Sequence, residues 1–453
     1  MTKKLFSEFD SVSSKQWKQK IQFDLKGTDY NDALVWNSNE DIAVKPYYHA
    51  DDFTELPENS NTKATQWKIC QSIFVANVEK SNLKAVDAIE RGAESIKFIL
   101  PSETISTEDL LKNIDLDNTS IHFELQFLSE NFTKQIGVIS LKARIYIHSD
   151  IINNLAKTGN WYTNLNDDFS KFKTIVKTTK SLSIDATLYQ NAGANMVQQL
   201  GYALAHANEY LNLIKDEPIG ELKVLFNISV GTNYFFEIAK LRALRLLWET
   251  LASEYNINTD CHITVTPSKR NKTVYDYNTN MLRTTTECMS AILGGANTIC
   301  NLPYDAIYHK DNEFGERIAR NQLLILKHES YFNKVENPSD GAYYIETLTN
   351  QLAEKGLVLF KDIEKNGGFL KQLKDGTIQR KIKESATKEQ QQFDKGEDIL
   401  LGTNKHPNPN DVMKQELEIY PFVKTNQRKT LIEPIIEKRL SEKLEQERLK
   451  NEN

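Results

Sequence analysis

The sequence predicts an α/β protein: a (β/α)8 TIM barrel with an N-terminal arm and a C-terminal helical extension. Two observations predict it. From Trp67 onward, short β-rich runs alternate with longer amphipathic segments, as in βα units around a parallel sheet. The strand candidates number eight, the barrel number, at residues 67–74, 95–100, 120–127, 143–149, 182–188, 223–230, 261–267 and 297–303. An open doubly wound sheet is the runner-up arrangement for the same pattern.

Taken in order, residues 1–66 read as an arm, with a surface helix at 14–25 and an extended run at 42–48. Residues 67–335 hold the barrel. At 234–255, Phe235, Ile238, Leu241, Ala243, Leu246, Leu247 and Leu251 build an apolar stripe, and Glu237, Lys240, Arg242 and Glu249 fall mostly off it. Residues 192–214 and 279–293 show the same period, and Gly294-Gly295 stops the latter. Residues 336–453 form the extension: helices at 343–363 and 368–391, a strand-like 398–401, a turn-rich 402–409, and a charged helix at 428–450 with Leu431, Ile435, Leu440 and Leu444 along one side.

At 453 residues, 40% hydrophobic and 26% charged, the chain has material for a large core and is neither disordered nor fibrous. A formal charge of −6 lacks the electrostatic footprint of a nucleic-acid binder, so no nucleic-acid partner is expected. The N-terminal segment has no apolar signal-type run, and nowhere do about 18 apolar residues follow one another, which predicts a cytoplasmic chain with no membrane partner. Cys70, Cys261, Cys288 and Cys300 form no C-x-x-C pair and read as buried reduced thiols, and the eight histidines show no zinc spacing, so no metal site is expected.

The strand alternation carries a chemical clue. Packed barrels fill their lumen with Val, Ile and Leu. Here Ile121, Phe123, Leu125 and Phe127 alternate with His122, Glu124 and Gln126, and Ile145 and Ile147 with Arg144, Tyr146 and His148. Likewise Ser183, Asp185 and Thr187 oppose Leu182, Ile184 and Ala186, while His262, Thr264 and Thr266 oppose Ile263 and Val265, with Asn227 and Ser229 on the sixth strand. The polar sides therefore converge on the axis, where each unpaired group costs about 1–3 kcal/mol. Either a polar ligand or water column occupies the axis, or these residues bond one another and plug it.

No G-x-G-x-x-G, P-loop or G-x-S-x-G motif occurs. Asp260-Cys261-His262 begins like the cobalamin-ligating D-x-H-x-x-G, but the glycine is missing and the segment opens a strand candidate, so His262 reads as a lumen or core histidine.

A series of segments in order along the chain resembles the methylmalonyl-CoA mutase barrel: NYFFEIAKLRA from Asn233, NMLRTTTE from Asn280, LGGA from Leu293, RIARN from Arg317, PSDGAYYIE from Pro338, IEKNGG from Ile363 and RKTLIEP from Arg428. The resemblance implies isomerisation of (R)-methylmalonyl-CoA and succinyl-CoA with adenosylcobalamin, acyl-CoA lying along the barrel axis and a flavodoxin-like domain carrying the corrin. No cobalamin-binding domain is expected in this chain. Catalytic members carry a segment like W-T-I-R-Q-Y on the first strand; WKICQS from Trp67 puts Ser72 at the tyrosine and Cys70 at the arginine. They also carry Y-H-M-Q-E-A-G-A after the fifth strand; TLYQNAGA from Thr187 puts Leu188 at the histidine, and leucine cannot donate the hydrogen bond made there to the thioester carbonyl.

The resemblance thus implies a non-catalytic small subunit of a heterodimeric mutase, with no catalytic residue of its own. Adenosylcobalamin would sit on the catalytic large subunit, and acyl-CoA would be met only through that partner. Two other readings stay open: a substrate-barrel subunit of a split mutase, and a freestanding acyl-CoA-binding or assembly protein.

Overall fold

The computed structural model describes all residues except 1–7, 58–59, 61, 143, 218–220, 425–426 and 453. Eight parallel strands form the barrel: β1 (Lys68–Phe74), β2 (Ser95–Leu100), β3 (Ser120–Leu125), β4 (Ile145–His148), β5 (Ser181–Asp185), β6 (Lys223–Val230), β7 (His262–Pro267) and β8 (Thr298–Cys300). Their ladder order is 4-3-2-1-8-7-6-5. No ladder joins β4 to β5 among the described residues. Side chains bridge that seam instead: His148 Nδ1 lies 3.2 Å from Ser183 Oγ, and the Asp185 amide donates to Asp150 Oδ2 at 2.7 Å. Ala143, the first residue of the fourth strand candidate, lies outside the described residues.

Polar caps turn the chain from strand to helix. Asn77, Ser129, Asp150, Asn195 and Asn312 each accept a backbone N–H from the first turn of the helix that follows. The outer helices include Val78–Glu90, Glu130–Ser140, Leu165–Thr179, Met196–Ile214, Tyr234–Glu254, Thr279–Leu293 and Glu313–Leu324. The second crossover is shorter, with only the four-residue helix Thr107–Leu110. After Thr279–Leu293 the chain reverses at Gly295, whose φ of +84° and contact with Thr62 leave no room for a Cβ.

The structure moves several predicted boundaries. The fifth strand ends at Asp185, and Leu188 lies in the short helix Thr187–Asn191. The helix expected at 368–391 is two, Phe369–Lys374 and Thr377–Lys395, broken at Gly376 with φ +75°. The 398–401 run makes a single bridge from Leu401 to Lys405 rather than a strand. The helix expected over 428–450 exists only as Glu442–Asn451. Before it, the backbone runs as a strap: the Ile432 and Ile435 amides bond Gly159 and Ala156, the Lys438 amide bonds Asn191, and the Leu440 amide bonds Arg270. Pro434 and these outside acceptors remove the helix ladder.

Glu237, Lys240 and Arg242 do not sit off the buried face, as the periodicity suggested, but are buried. Their helix is covered on both sides, by the barrel and by Tyr343–Lys365, which also packs on Met196–Ile214. The main apolar core is continuous from the barrel (Leu182, Phe226, Trp248) into the extension (Leu348, Phe369, Ile382) and the strap (Ile432, Ile435).

Candidate functional site

In parallel ladders, paired residues face the same side, so the register identifies the lumen. One layer is Ser72, Lys97, His122 and Tyr146, and the next toward the C-terminal ends is Phe74, Ile99, Glu124 and His148. Asp185, Asn227 and Thr264 continue round the barrel, and Cys70 pairs with Cys300.

His122 is fully buried on this axis. Its ring stacks on Tyr146 at 4.7 Å and His148 at 5.2 Å, and lies 5.4 Å from His262, which itself sits 4.3 Å from Tyr146. A polar relay locks the cluster. Asn227 Nδ2 donates to His148 Nδ1 at 3.1 Å, which makes His148 Nε2 the donor to His122 Nδ1 at 2.9 Å. His262 Nε2 bonds Thr298 Oγ1 at 2.9 Å. Beside this plug, Lys97 pairs with Glu124 at 3.0 Å. Of the bulky side chains expected to fill the lumen, His122 and Tyr146 do so. Gln126 is exposed beyond β3, and Arg144 turns to the Asn118 carbonyl at the rim.

Electrostatics follow from this packing. Burial, then the neighbouring imidazoles and Lys97, pull His122 well below the usual histidine range. Burial and Lys97 bring His148 to about 3, and burial with His148 and Arg245 brings His262 to about 3. All three rings are therefore neutral at pH 7. Burial opposes the charge on Lys97, but Glu124 outweighs it and holds the ammonium above its usual range.

At the C-terminal mouth, Asp150 is a hub. It accepts from His206 Nε2 at 3.0 Å, Tyr210 Oη at 2.5 Å and the Asp185 amide, and His206 Nδ1 meets Tyr189 Oη at 3.0 Å. Asp185 accepts from Thr187 and Asn153, and burial followed by Glu124 pushes it up to about 6. Over β6 and β7, three buried ion pairs cluster: Glu237 with Lys240, Lys272 with Glu287, and Arg439 of the strap with Glu445. Arg439 also donates to the Lys272 carbonyl.

The two positions singled out by their substitutions are not brought together. Ser72 is half-buried in the lumen opposite Lys97, whereas Leu188 is buried in the apolar core. Lys97 was missed, although extending the alternation to the second strand exposes it as the charged member of Ser95, Lys97 and Ile99. Asp150 and Asn153 carried no signal beyond a helix cap.

Chemically, the lumen offers neutral imidazoles already bonded to one another, which is packing rather than an open site. The implied corrin finds no partner in its near-match: His262 packs at a tilt against Tyr146 and is bonded to Thr298 inside the barrel, so the residues present do not fit cobalt ligation. Among the described residues no helix is long and apolar enough to cross a membrane.

A family model described as methylmalonyl-CoA mutase matches residues 103–451. A methylmalonyl-CoA mutase small subunit of Porphyromonas gingivalis is 36% identical over 456 residues, covering 92% of this chain and 73% of that protein. A methylmalonyl-CoA mutase of Cereibacter sphaeroides is 30% identical, covering 86% and 64%, and a methylmalonyl-CoA mutase small subunit of Streptomyces virginiae is 25% identical, covering 89% and 72%. With more than three quarters of its length inside that match, the chain belongs to the methylmalonyl-CoA mutase family.

Proposed function

We propose that this chain is the non-catalytic small subunit of a heterodimeric methylmalonyl-CoA mutase, supporting a catalytic large subunit that interconverts (R)-methylmalonyl-CoA and succinyl-CoA in the cytoplasm. The observation that carries the reading is the filled lumen: His122, fully buried, stacked on Tyr146 and His148 and packed beside His262, stands where an acyl-CoA would thread. The names of the Porphyromonas and Streptomyces relatives support the subunit assignment. On this reading no residue here is catalytic, Ser72 and Leu188 marking lost groups. Adenosylcobalamin is bound by the partner, which alone engages acyl-CoA. The arm at 1–66, the barrel at 67–335 and the extension at 336–453 serve as a scaffold that stabilises the folded partner by mass action.

Calorimetric titration of the isolated chain with methylmalonyl-CoA tests this, and no binding is expected. Restoring both lost side chains, Ser72→Tyr with Leu188→His, is expected to leave that result unchanged, because Leu188 points into the core and the plug remains. Micromolar acyl-CoA binding by the unaltered chain contradicts the proposal.

The arm supplies a surface for the partner. Helix Ser14–Asp24 has no buried residue; Trp17 and Phe23 are exposed, and Trp17 stacks on Tyr47 at 5.3 Å. Trp17→Ala with Phe23→Ala is expected to weaken pairing with the large subunit at least tenfold and to leave the thermal midpoint of the isolated chain within about 1 °C, since the change lies outside the core. Surface plasmon resonance and a thermal scan read the two effects.

A further inference from the structure

The outer wall of the barrel holds a cavity of about 240 Å³ where helices Val78–Glu90 and Glu313–Leu324 meet over β1, at the join between the first and the last βα unit. Arg320, 7% exposed, lines it beside Gln71, which β1 turns outward, away from the lumen side that carries Ser72.

Charge is unevenly satisfied there. Lys84 is paired with Glu316, and Arg91 Nε with Asp87 at 2.7 Å, so both of these carboxylates are already spent. Arg320 has no carboxylate partner among the described residues, and its one hydrogen bond runs from Nη1 to Gln71 Oε1 at 3.1 Å. Its Nε is sealed without a partner, whereas Arg320 Nη2 and Gln71 Nε2, equally unpartnered, are open to the cavity. Burial first, then Arg91 and Arg317, hold the guanidinium below its usual range against the pull of Asp87 and Glu316. Arg317, three residues before Arg320 and so on the same helix face, stands exposed above it with no ion pair among the described residues. Asp311 and Glu313 lie at the exposed rim, where water screens them. A buried charge without a counter-ion is costly, and folded proteins pair it.

We propose that this cavity binds a small oxyanion, phosphate above all, with Arg320 Nη2 and Gln71 Nε2 donating to its inner oxygens and Arg317 closing over the outer ones. The 3.1 Å bond between the two inner side chains sets their free donors side by side, so one anion reaches both. With its own oxygen held by Arg320, Gln71 presents N–H to the cavity, which selects an acceptor. A tetrahedral phosphate offers oxygens to three donor groups from three directions, where a carboxylate offers two in one plane. The anion ties the first βα unit to the last, and the proposal is independent of the subunit assignment.

The test is calorimetric titration of the full chain at pH 7.5 with sodium phosphate, methyl phosphate and acetate, at ionic strength held constant with sodium chloride. Saturable one-to-one binding of phosphate is expected, at least fivefold tighter than acetate. Methyl phosphate bound as tightly as phosphate assigns the site to a phosphoryl group on a larger molecule, and weaker binding of methyl phosphate assigns it to the free ion. Arg320→Met is expected to weaken phosphate at least tenfold. Should it fail to fold, Arg317→Ala and Gln71→Leu, which leave Arg320 in place, are each expected to weaken phosphate at least threefold. No saturable binding, acetate bound as tightly as phosphate, binding that survives Arg320→Met, or binding unchanged in both Arg317→Ala and Gln71→Leu overturns the proposal.

Discussion

His148, His262 and Asp185 together are expected to lower stability by about 3 kcal/mol between pH 7 and pH 5. In the unfolded chain, histidine gains its proton near pH 6.5, whereas His148 and His262 are held at about 3 in the folded barrel. Below pH 6.5 the unfolded state therefore binds more protons, and stability present above that pH drains away at up to about 1.4 kcal/mol per unit for each ring. At pH 5 the two rings account for about 4 kcal/mol, and His122, shifted the same way, adds to the loss. Asp185 works in the opposite direction. Its folded value of about 6 exceeds its unfolded one, so it regains about 1.4 kcal/mol by pH 5. Glu124 and Asp150, both held low, contribute their losses only below about pH 4.5. Urea midpoints at pH 7, 6 and 5 measure the net effect. His262→Gln removes one titrating ring and is expected to reduce the drop by about 2 kcal/mol. A midpoint unchanged from pH 7 to 5 shows that the rings are not buried neutral.

Glu287→Ala is expected to destabilise the chain by about 3–5 kcal/mol, among the largest single effects available to it. Lys272 and Glu287 are both essentially inaccessible, with Nζ 2.9 and 2.8 Å from the two carboxylate oxygens. Burial drives both toward their neutral forms, and their mutual charge opposes it. Ser268 O and Asn271 Oδ1 accept the remaining ammonium protons, and Asn271 Nδ2 donates to Glu287. Removing the carboxylate leaves a satisfied pair as a bare buried charge. Lys272→Met together with Glu287→Leu is expected to recover most of the loss, because the desolvation penalty vanishes with both charges. Thermal denaturation of the single and double variants decides it: a single-variant loss under about 1 kcal/mol, or a double variant as unstable as the sum of the singles, contradicts the account. The Lys272 carbonyl also receives Arg439, so the single variant is expected to loosen the strap and expose it to proteolysis.

The barrel was legible in the sequence because its strands are short β-rich runs separated by longer amphipathic segments, and because lumen and wall residues alternate with a period of two. His122, Tyr146, His148 and His262 could be placed on one axis from that period alone. What could not be read was decided by contacts distant in sequence. Residues 428–441 have apolar side chains at helical spacing, yet their amides bond the 156–159, 191 and 270 carbonyls, and tertiary partners override local propensity. Glu237, Lys240 and Arg242 fall off the apolar stripe yet are buried, because an amphipathic stripe assumes one covered face and here a second helix layer covers the other, whereas Glu249 is exposed.

The claim that this barrel is a scaffold rather than a catalyst is tested most directly by the mutase activity of the chain co-purified with a catalytic large subunit, measured beside each chain alone with adenosylcobalamin present. The account predicts co-purification as a pair, activity in the pair, and none from this chain by itself. Turnover of methylmalonyl-CoA by this chain alone would contradict it.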